Sequence, residues 1–397
     1  MQTATPTSTL LGGLSPAKFL DEYWQTKPLV IRGALPDFES PLAPEELAGL
    51  ACEEGVTSRL ILEKGGDYPW QLKEGPFDEE DFLSLPETHW TVLVQEVDRL
   101  IPEVGALLNH FRFIPRWRID DVMVSYAPTH GNVGAHIDNY DVFLLQGLGE
   151  REWQFGHAPV DDETIVPDRD VRMLADFTPD ETVVLEPGDM LYLPPRIAHH
   201  GMARDDRCMT YSVGFRAPGH QRLIGDFVSD MLETVDPDAR YSDPDLTPTN
   251  HPGAIRPEAR ERVRSILCQL TQDDDVIDRW FGRYITEPKR GQMALPPEQP
   301  IEPATLTEAI QAGTPLWHGA ASRLAYMRHD DGTVSLFVDG GERRLPGDLA
   351  FAGALLTDQD PIAPEALARH LDHAAFVQLL VELVNDGALV IGPSKNG

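Results

Sequence analysis

Between Gly131 and Gly149 the chain reads Gly-Asn-Val-Gly-Ala-His-Ile-Asp-Asn-Tyr-Asp-Val-Phe-Leu-Leu-Gln-Gly-Leu-Gly. Glycines at 131, 134, 147 and 149 bracket an apolar strand from Val142 to Leu145, and a Pro187-Gly188-Asp189 turn precedes a second apolar stretch from Leu191. Glycine within a strand pattern marks bulges, corners and close backbone approaches, so this arrangement predicts a small antiparallel barrel. Inside it His136 and Asp138 stand two residues apart. Residues i and i+2 of a strand share a face, so the pair can grip one metal ion. The second apolar stretch runs out to His199-His200, and because strand neighbours point to opposite faces, only one of these two can join the pair.

Two histidines and one carboxylate on one side of a metal form the facial triad of non-haem Fe(II) oxygenases, which leaves positions open for a cosubstrate and O2. Two further His-x-Asp triplets have a different setting. His329/Asp331 sits in an Asp-Asp-Gly turn and His370/Asp372 in a helical pattern, where i and i+2 do not face each other, so both read as solvated surface residues. His130 and His157 flank the candidate site without ligand spacing and read as loop residues.

The motif extends well beyond three ligands. His136-Ile137-Asp138-Asn139-Tyr140-Asp141-Val142-Phe143 is followed by Gln146-Gly147-Leu148-Gly149-Glu150-Arg151-Glu152-Trp153, then by Pro187-Gly188-Asp189-Met190-Leu191-Tyr192-Leu193-Pro194-Pro195, then by Tyr211-Ser212-Val213-Gly214-Phe215-Arg216-Ala217-Pro218. In these segments, and from about residue 15 to the C-terminus, the chain resembles the JmjC-type oxygenases of the cupin superfamily, in their bacterial ribosomal-oxygenase branch. The resemblance implies a double-stranded β-helix that uses Fe(II), 2-oxoglutarate and O2 to hydroxylate a ribosomal protein. It places the third metal ligand at His199, leaving His200 a supporting or surface role.

A 2-oxoglutarate chelated to iron through its keto oxygen and adjacent carboxylate needs a cation deeper in the barrel for its far carboxylate. The six lysines, at 18, 27, 64, 73, 289 and 395, all lie outside the expected barrel. Arg151 stands where the resemblance puts the cosubstrate arginine, with Ser125 and Tyr126 as hydroxyl donors on the preceding strand and Arg216 as the next candidate cation. An arginine substrate needs a carboxylate and a flat apolar wall. Asp121 and Met123 share a strand face that supplies both, Tyr140 follows the triad aspartate by two residues and faces inward, and Ser212 adds a hydroxyl. These readings give metal ligands His136, Asp138 and His199, cosubstrate contacts Arg151 and Ser125, and substrate contacts Asp121, Met123, Tyr140 and Ser212. No catalytic residue is assigned beyond the triad.

The 397 residues carry 65 acidic against 33 basic side chains, a net charge of −32. Such a surface repels a phosphate backbone and attracts a basic protein, so direct nucleic-acid binding is not expected and a basic protein partner is, in agreement with the ribosomal protein that the resemblance implies. Six Lys against 27 Arg with abundant Asp also suits a salt-adapted organism, an equally good source of the charge. Cysteines at 52, 208 and 268 have neither disulfide nor zinc spacing, and no apolar run is long enough to span a bilayer. The expectation is a soluble cytoplasmic protein whose N-terminus is not a signal peptide.

Organisation follows from periodicity and breakers. Residues 1–13 read as a disordered tail, and 14–217 as the oxygenase domain with its core at 105–217. Within it, helices are expected from Ser15 to Tyr23, from Ala43 to Ala51, and, as one amphipathic helix, from Leu93 to Leu107. Residues 218–293 carry helices near 222–235, 258–272 and 274–285. Their apolar stripes at Leu223, Phe227, Met231 and at Val263, Ile266, Leu267, Leu270 have no barrel left to cover, which predicts a helical dimerisation region and a homodimer. A proline-rich segment from Ala294 to Pro300 reads as a linker, and the helix-strand order beyond it gives 294–397 as a winged-helix-like domain. The acidity of that domain, with one lysine, favours protein contact over DNA binding.

The expected fold is therefore mixed α/β: a cupin/JmjC jelly roll, a helical dimerisation region and a winged-helix-like domain. The activity that the resemblance implies is 3-hydroxylation of an arginine in the sixteenth protein of the large ribosomal subunit. The rival readings are a histidine hydroxylase of a ribosomal protein, a histone-type demethylase, whose methyl-lysine cage is not visible in the sequence, and a non-catalytic cupin scaffold.

Overall fold

The computed structural model describes residues 10–63, 70–161, 164–167, 171–289 and 292–392. The chain divides into two compact units, Met1–Ala217 and Pro218–Gly397. In the first, eleven strands appear in the order β1 (Leu29–Ile31), β2 (Ser58–Leu62), β3 (Gln71–Glu74), β4 (Trp90–Val94), β5 (Ile119–Ala127), β6 (Val142–Leu148), β7 (Arg151–Pro159), β8 (Glu181–Leu185), β9 (Met190–Leu193), β10 (Ile197–Ala203) and β11 (Cys208–Phe215). Eight make one sheet, ordered β1-β9-β6-β11-β5-β4-β2-β3, and three make a second, ordered β10-β7-β8. Neighbouring strands in both are antiparallel.

Alternation along the strands divides the apolar side chains between two cores. Val142 and Leu144 of β6, with Leu191 and Leu193 of β9, cluster with Trp153, Phe155 and Leu185 of the smaller sheet and so fill the space between the sheets. Phe143, Leu145, Met190 and Tyr192 point the other way and join Phe19, Leu47 and Phe111 of the preceding helical segments. The apolar run Val142 to Leu145 is thus buried on both faces, which is why it shows no polar alternation.

Two expectations for this unit are corrected. Leu10 and Leu11, assigned to a tail ending at residue 13, are fully buried in the core that covers the larger sheet; residues 1–9 lie outside the described residues. The expected helix from Leu93 to Leu107 is the end of β4 followed by two short helices, Val97–Leu100 and Pro102–Ala106. Pro102 cannot continue a helix from its predecessors, because it lacks the N–H and its ring clashes one turn back.

In the second unit, helices His220–Leu232 and Asp274–Thr286 pack through Phe227 and Trp280, whose ring centroids are 5.0 Å apart, and through an Arg283–Asp230 ion pair at 3.2 Å. The first apolar stripe is therefore partly covered within the chain, Met231 being buried. Helix Pro257–Cys268 has no buried residue, and Val263, Ile266 and Leu267 are exposed. Asp274–Thr286, placed by sequence in the helical region, packs instead on the three-stranded sheet Leu324–Arg328, Val334–Val338 and Gly341–Leu345: Arg279 pairs with Glu342 at 2.8 Å, and Gly282 lies against the Phe337 ring. That sheet shares a core with helices Pro303–Gln311, Phe351–Thr357 and Ala374–Asn385. No helix among the described residues is long and apolar enough to cross a membrane.

Candidate active site

His136 does not lie in a long strand. It forms an isolated two-way backbone pair with His199, N to O at 3.0 Å and 2.9 Å, just before β6 begins. That pair carries the first and third candidate ligands on facing backbones, and Arg196 N, bonded to Asp138 O at 2.6 Å, fixes the second. One ligand atom from each of His136, Asp138 and His199 lies within 4.8 Å of the others. Asp138 Oδ2 is 3.9 Å from His136 Nε2 and 3.6 Å from His199 Nε2.

Both imidazoles are turned for the same task. His136 Nδ1 is 3.0 Å from Gly134 O and His199 Nδ1 is 2.9 Å from Ile197 O. A ring whose Nδ1–H donates to a carbonyl presents Nε2 as a free lone pair, the tautomer a metal needs. Burial, reinforced by the neighbouring His136, pushes the His199 imidazole down to about 4, so it is neutral at neutral pH. Behind His136 stands Asn132, buried, whose Oδ1 accepts from Gly134 N at 3.0 Å and lies 3.1 Å from His200 Nε2, while its Nδ2 donates to Glu63 at 2.8 Å. Gly134 has φ +81, and a β-carbon there would strike Met173 Sδ at 2.4 Å. Only glycine both adopts that turn and leaves room for Met173. His200 thus faces away from the ligand cluster.

The cluster opens into a cavity of about 460 Å³ whose lining includes all nine predicted site residues: His136, Asp138, His199, Arg151, Ser125, Asp121, Met123, Tyr140 and Ser212. At one end lies Arg151, only 3% exposed. Its guanidinium donates to Thr210 Oγ1 at 3.3 Å and to Gly201 O at 3.2 Å, and its Cζ sits 5.2 Å from the Trp153 ring centre. All these partners are neutral. Arg151 Nε and Trp153 Nε1 are buried with no hydrogen-bond partner among the described residues. A buried cation with an unfilled donor and only neutral hydrogen-bond partners is poised for an anion, and two imidazoles with a carboxylate suit a divalent first-row metal.

At the other end Asp121 Oδ2 accepts from Glu96 N at 3.2 Å, Met123 packs in a small cluster with Ile61, Leu93 and Met173, and Ser212 is buried. Tyr140 is hydrogen-bonded to Asp138, and burial first, then that carboxylate, push its phenol well above the ordinary range. Tyr126, an expected hydroxyl donor, points out of the cavity and donates to Asp206 O at 2.8 Å. Arg216, the reserve cation, pairs with Asp120 at 3.6 Å. The other histidines lie elsewhere: His157 pairs with exposed Glu181 at 2.9 Å, and His130 lies against His89. His329 and His370 are half-buried rather than solvated, the first 2.8 Å from Ser335 Oγ, the second stacked on Phe351 at 3.9 Å.

The JmjC domain family matches residues 106–223, and the ROXA-like winged helix family matches residues 269–390. The ribosomal protein uL16 3-hydroxylase of Escherichia coli is 35% identical over 379 residues, covering 93% of this chain and 95% of the relative. The chain belongs to the JmjC-domain ribosomal oxygenases. An X-ray structure of E. coli YcfD superposes with a TM-score of 0.84 at 34% identity, covering 95% of this chain and 98% of that one. A structure of the E. coli ribosomal oxygenase YcfD with cobalt and 2-oxoglutarate gives 0.81 at 34% identity, covering 96% and 99%. The winged-helix match begins before Asp274, so the helix that packs on the wing sheet falls within it.

Several lining residues of this ribosomal oxygenase were not anticipated from sequence: Arg59, Thr91, Gln95, Trp153 and Thr210. Strand alternation reaches Thr210, which lies two residues before Ser212 and shares its face. Arg59, Thr91 and Gln95 come from or follow β2 and β4, and that β4 pairs with β5 and β2 with β4 no local spacing reveals.

Proposed function

We propose that this protein is an Fe(II)- and 2-oxoglutarate-dependent hydroxylase acting at carbon 3 of an arginine in ribosomal protein uL16. The observation that carries the reading is Arg151: a buried guanidinium with an unfilled donor and no acidic partner among the described residues, in the same cavity as His136, Asp138 and His199. A cupin that only bound a metal would have no use for it. The relative's activity on uL16 and the neighbour's bound 2-oxoglutarate agree with the reading, and so does a charge of −32 facing a basic ribosomal protein.

In this reading His136 Nε2, Asp138 and His199 Nε2 hold the iron, and Arg151 pairs with the distal carboxylate of 2-oxoglutarate, with Ser125 and Thr210 beside it. When bound, iron and cosubstrate would supply a four-electron reduction of O2, two electrons coming from decarboxylation of 2-oxoglutarate to succinate and CO2 and two from the substrate C–H bond, so that one oxygen would enter succinate and the other the hydroxyl group. The chain's own residues do the positioning. Val142, Leu144 and Trp153 line the cavity with apolar surface and exclude water. Asp121 pairs with the substrate guanidinium, Met123 and Tyr140 flank its plane, and Ser212 contributes a hydroxyl. Tyr140 stays a neutral phenol, so it donates to Asp138 without adding charge beside the metal.

The exposed apolar side chains Ile255, Val263, Ile266 and Leu267 support a homodimer through the region that carries them, checked by light scattering of the purified protein. For the activity, a uL16 peptide with its arginine gains one oxygen only when Fe(II), 2-oxoglutarate and O2 are all present, read by fragment-ion mass spectrometry. Oxidation of a histidine peptide in its place would transfer the reading to the histidine hydroxylases.

A further inference from the structure

The strands beneath the cavity meet in rungs. Ser125, Thr210 and Gln146 form the first, beside Arg151; Met123, Ser212 and Leu144 form the second; Asp121, Gly214 and Val142 form the third. Along β11 the residues in the cavity lining therefore run Thr210, Ser212, Gly214, and the last has no side chain. A β-carbon built on Gly214 would lie 3.6 Å from Asp121 Oδ1 and 3.9 Å from Tyr140 Cε2. Both are ordinary van der Waals separations, and Gly214 is not among the residues at positive φ. Neither backbone conformation nor packing thus requires glycine at this position. A strand-interior glycine weakens its strand and marks either a bulge or close approach by a ligand; the register on β5 does shift between Gly214 and Phe215, but a bulge at negative φ accepts alanine, so the open space above Gly214 points to the ligand.

We propose that Gly214 determines specificity: the gap above its α-carbon admits the flat head of a guanidinium between the Asp121 carboxylate and the Tyr140 ring. The inference rests on the arginine-hydroxylase reading and adds a shape requirement to the charge that Asp121 supplies. Asp121 is held for this contact. Its Oδ2 accepts from the amide of Glu96, a residue in the left-handed region at φ 55, while Oδ1 lies nearest the gap. A methyl group at residue 214 occupies the gap without disturbing either wall, so it excludes the planar head and leaves the rest of the site intact.

The test compares wild type, Gly214→Ala and Asp121→Asn on uL16 peptides bearing arginine or citrulline at the target position. Citrulline keeps the planar head and removes the charge. Peptide affinity is measured with Mn(II) in place of Fe(II), and hydroxylation by mass spectrometry. Gly214→Ala is expected to raise KM for the arginine peptide by about tenfold or more, the scale at which one methyl group discriminates in a fitted pocket. It should weaken citrulline binding by a similar factor, with Mn(II) and 2-oxoglutarate affinities unchanged and Tm unchanged or slightly raised. Asp121→Asn should weaken arginine binding far more than citrulline binding. A Gly214→Ala enzyme with wild-type KM overturns the proposal, and so does a fall of several degrees in its Tm, which would make the glycine structural. A wild type that ignores the arginine peptide overturns the functional reading, whereas an active wild type beside an equally active Gly214→Ala overturns Gly214 alone.

Discussion

Arg151→Met separates a cosubstrate clamp from a structural arginine, because the two roles change different quantities. The wild-type guanidinium is buried against Thr210 Oγ1, Gly201 O and the Trp153 ring, with Nε unfilled and no carboxylate bonded to it among the described residues. Without cosubstrate it is a desolvated charge lacking a counter-charge. Replacing such a group by an apolar side chain of similar length is neutral or stabilising. The apo form of Arg151→Met should therefore melt at or above the wild-type temperature.

Cosubstrate binding should respond in the opposite direction. With methionine at this position the distal carboxylate of 2-oxoglutarate enters the same walls facing only neutral hydroxyls. Leaving one member of a buried ion pair unpaired typically costs about 3–5 kcal/mol. That corresponds to a rise in Kd of roughly two to three and a half orders of magnitude. Arg151→Lys retains the charge but not the fork, and should lose about tenfold to a hundredfold, the worth of one charge-assisted hydrogen bond of roughly 1.5–3 kcal/mol. Calorimetry under anaerobic conditions with Mn(II) gives the 2-oxoglutarate Kd, and a parallel titration gives the Mn(II) Kd, which should not move. In thermal melts the wild type should gain about 2.7 kcal/mol of stability at a hundredfold excess over Kd, while Arg151→Met gains almost none at the same concentration. The reasoning is refuted if Arg151→Met destabilises the apo protein by several degrees while its 2-oxoglutarate Kd changes less than about threefold.

Three other expectations follow from the same geometry. His136→Ala, Asp138→Ala and His199→Ala should each abolish metal binding and 2-oxoglutarate turnover, whereas His200→Ala, whose ring is 3.1 Å from Asn132, should keep most activity; a dead His200→Ala beside a working His199→Ala would reverse the ligand assignment. Asn132→Ala removes the acceptor that holds Gly134, and hence His136, so its metal Kd should rise by about 10- to 100-fold with an unchanged circular dichroism spectrum, and an unaltered Kd would show that the turn holds itself. Burial raises the Asp98 carboxyl from 3.8 to about 7, so between those values the unfolded chain ionises there while the folded one stays protonated, and stability falls as pH rises through that window. Asp98→Asn keeps an oxygen for the Val122 amide, and its gain in Tm over wild type should be larger at pH 8 than at pH 5.5; an equal gain at both would remove the ionisation argument.

How far a sequence discloses such a site depends on the distance over which each relation is encoded. Asp121, Met123 and Ser125 alternate on one strand, so spacing alone places them on a common face; His136 and Asp138 are also two residues apart but precede β6, and the isolated His136–His199 pair, not strand alternation, brings them together; all line the cavity. The motif glycines and the Pro-Gly-Asp turn likewise announced a barrel. Arg151 was found only because a resemblance supplied what chain distance hid, since its partner Thr210 lies 59 residues away. Arg59, Thr91 and Gln95 depend on β4 pairing with β5 and β2 with β4, and that choice is made by packing rather than by any local signal. The misread helix from Leu93 has the same origin. Val92, Leu93 and Val94 are all buried, so β4 lacks alternation and its apolar residues merged with those of the short helices after it, although Pro102 marked the break. In the second unit the strand Gly341–Leu345 carries Glu342, Arg343 and Arg344, which form ion pairs with neighbouring elements, and a strand held by charge has no hydrophobic period to read. Asp141 makes the converse point: it belongs to the motif but takes no part in the ligand cluster, being fully buried and bonded to Gln25, Tyr192 and Arg118, where it anchors the loop that carries His136 and Asp138. Short-range chemistry is therefore legible at the candidate metal site, and what orients its residues is written in contacts between distant segments.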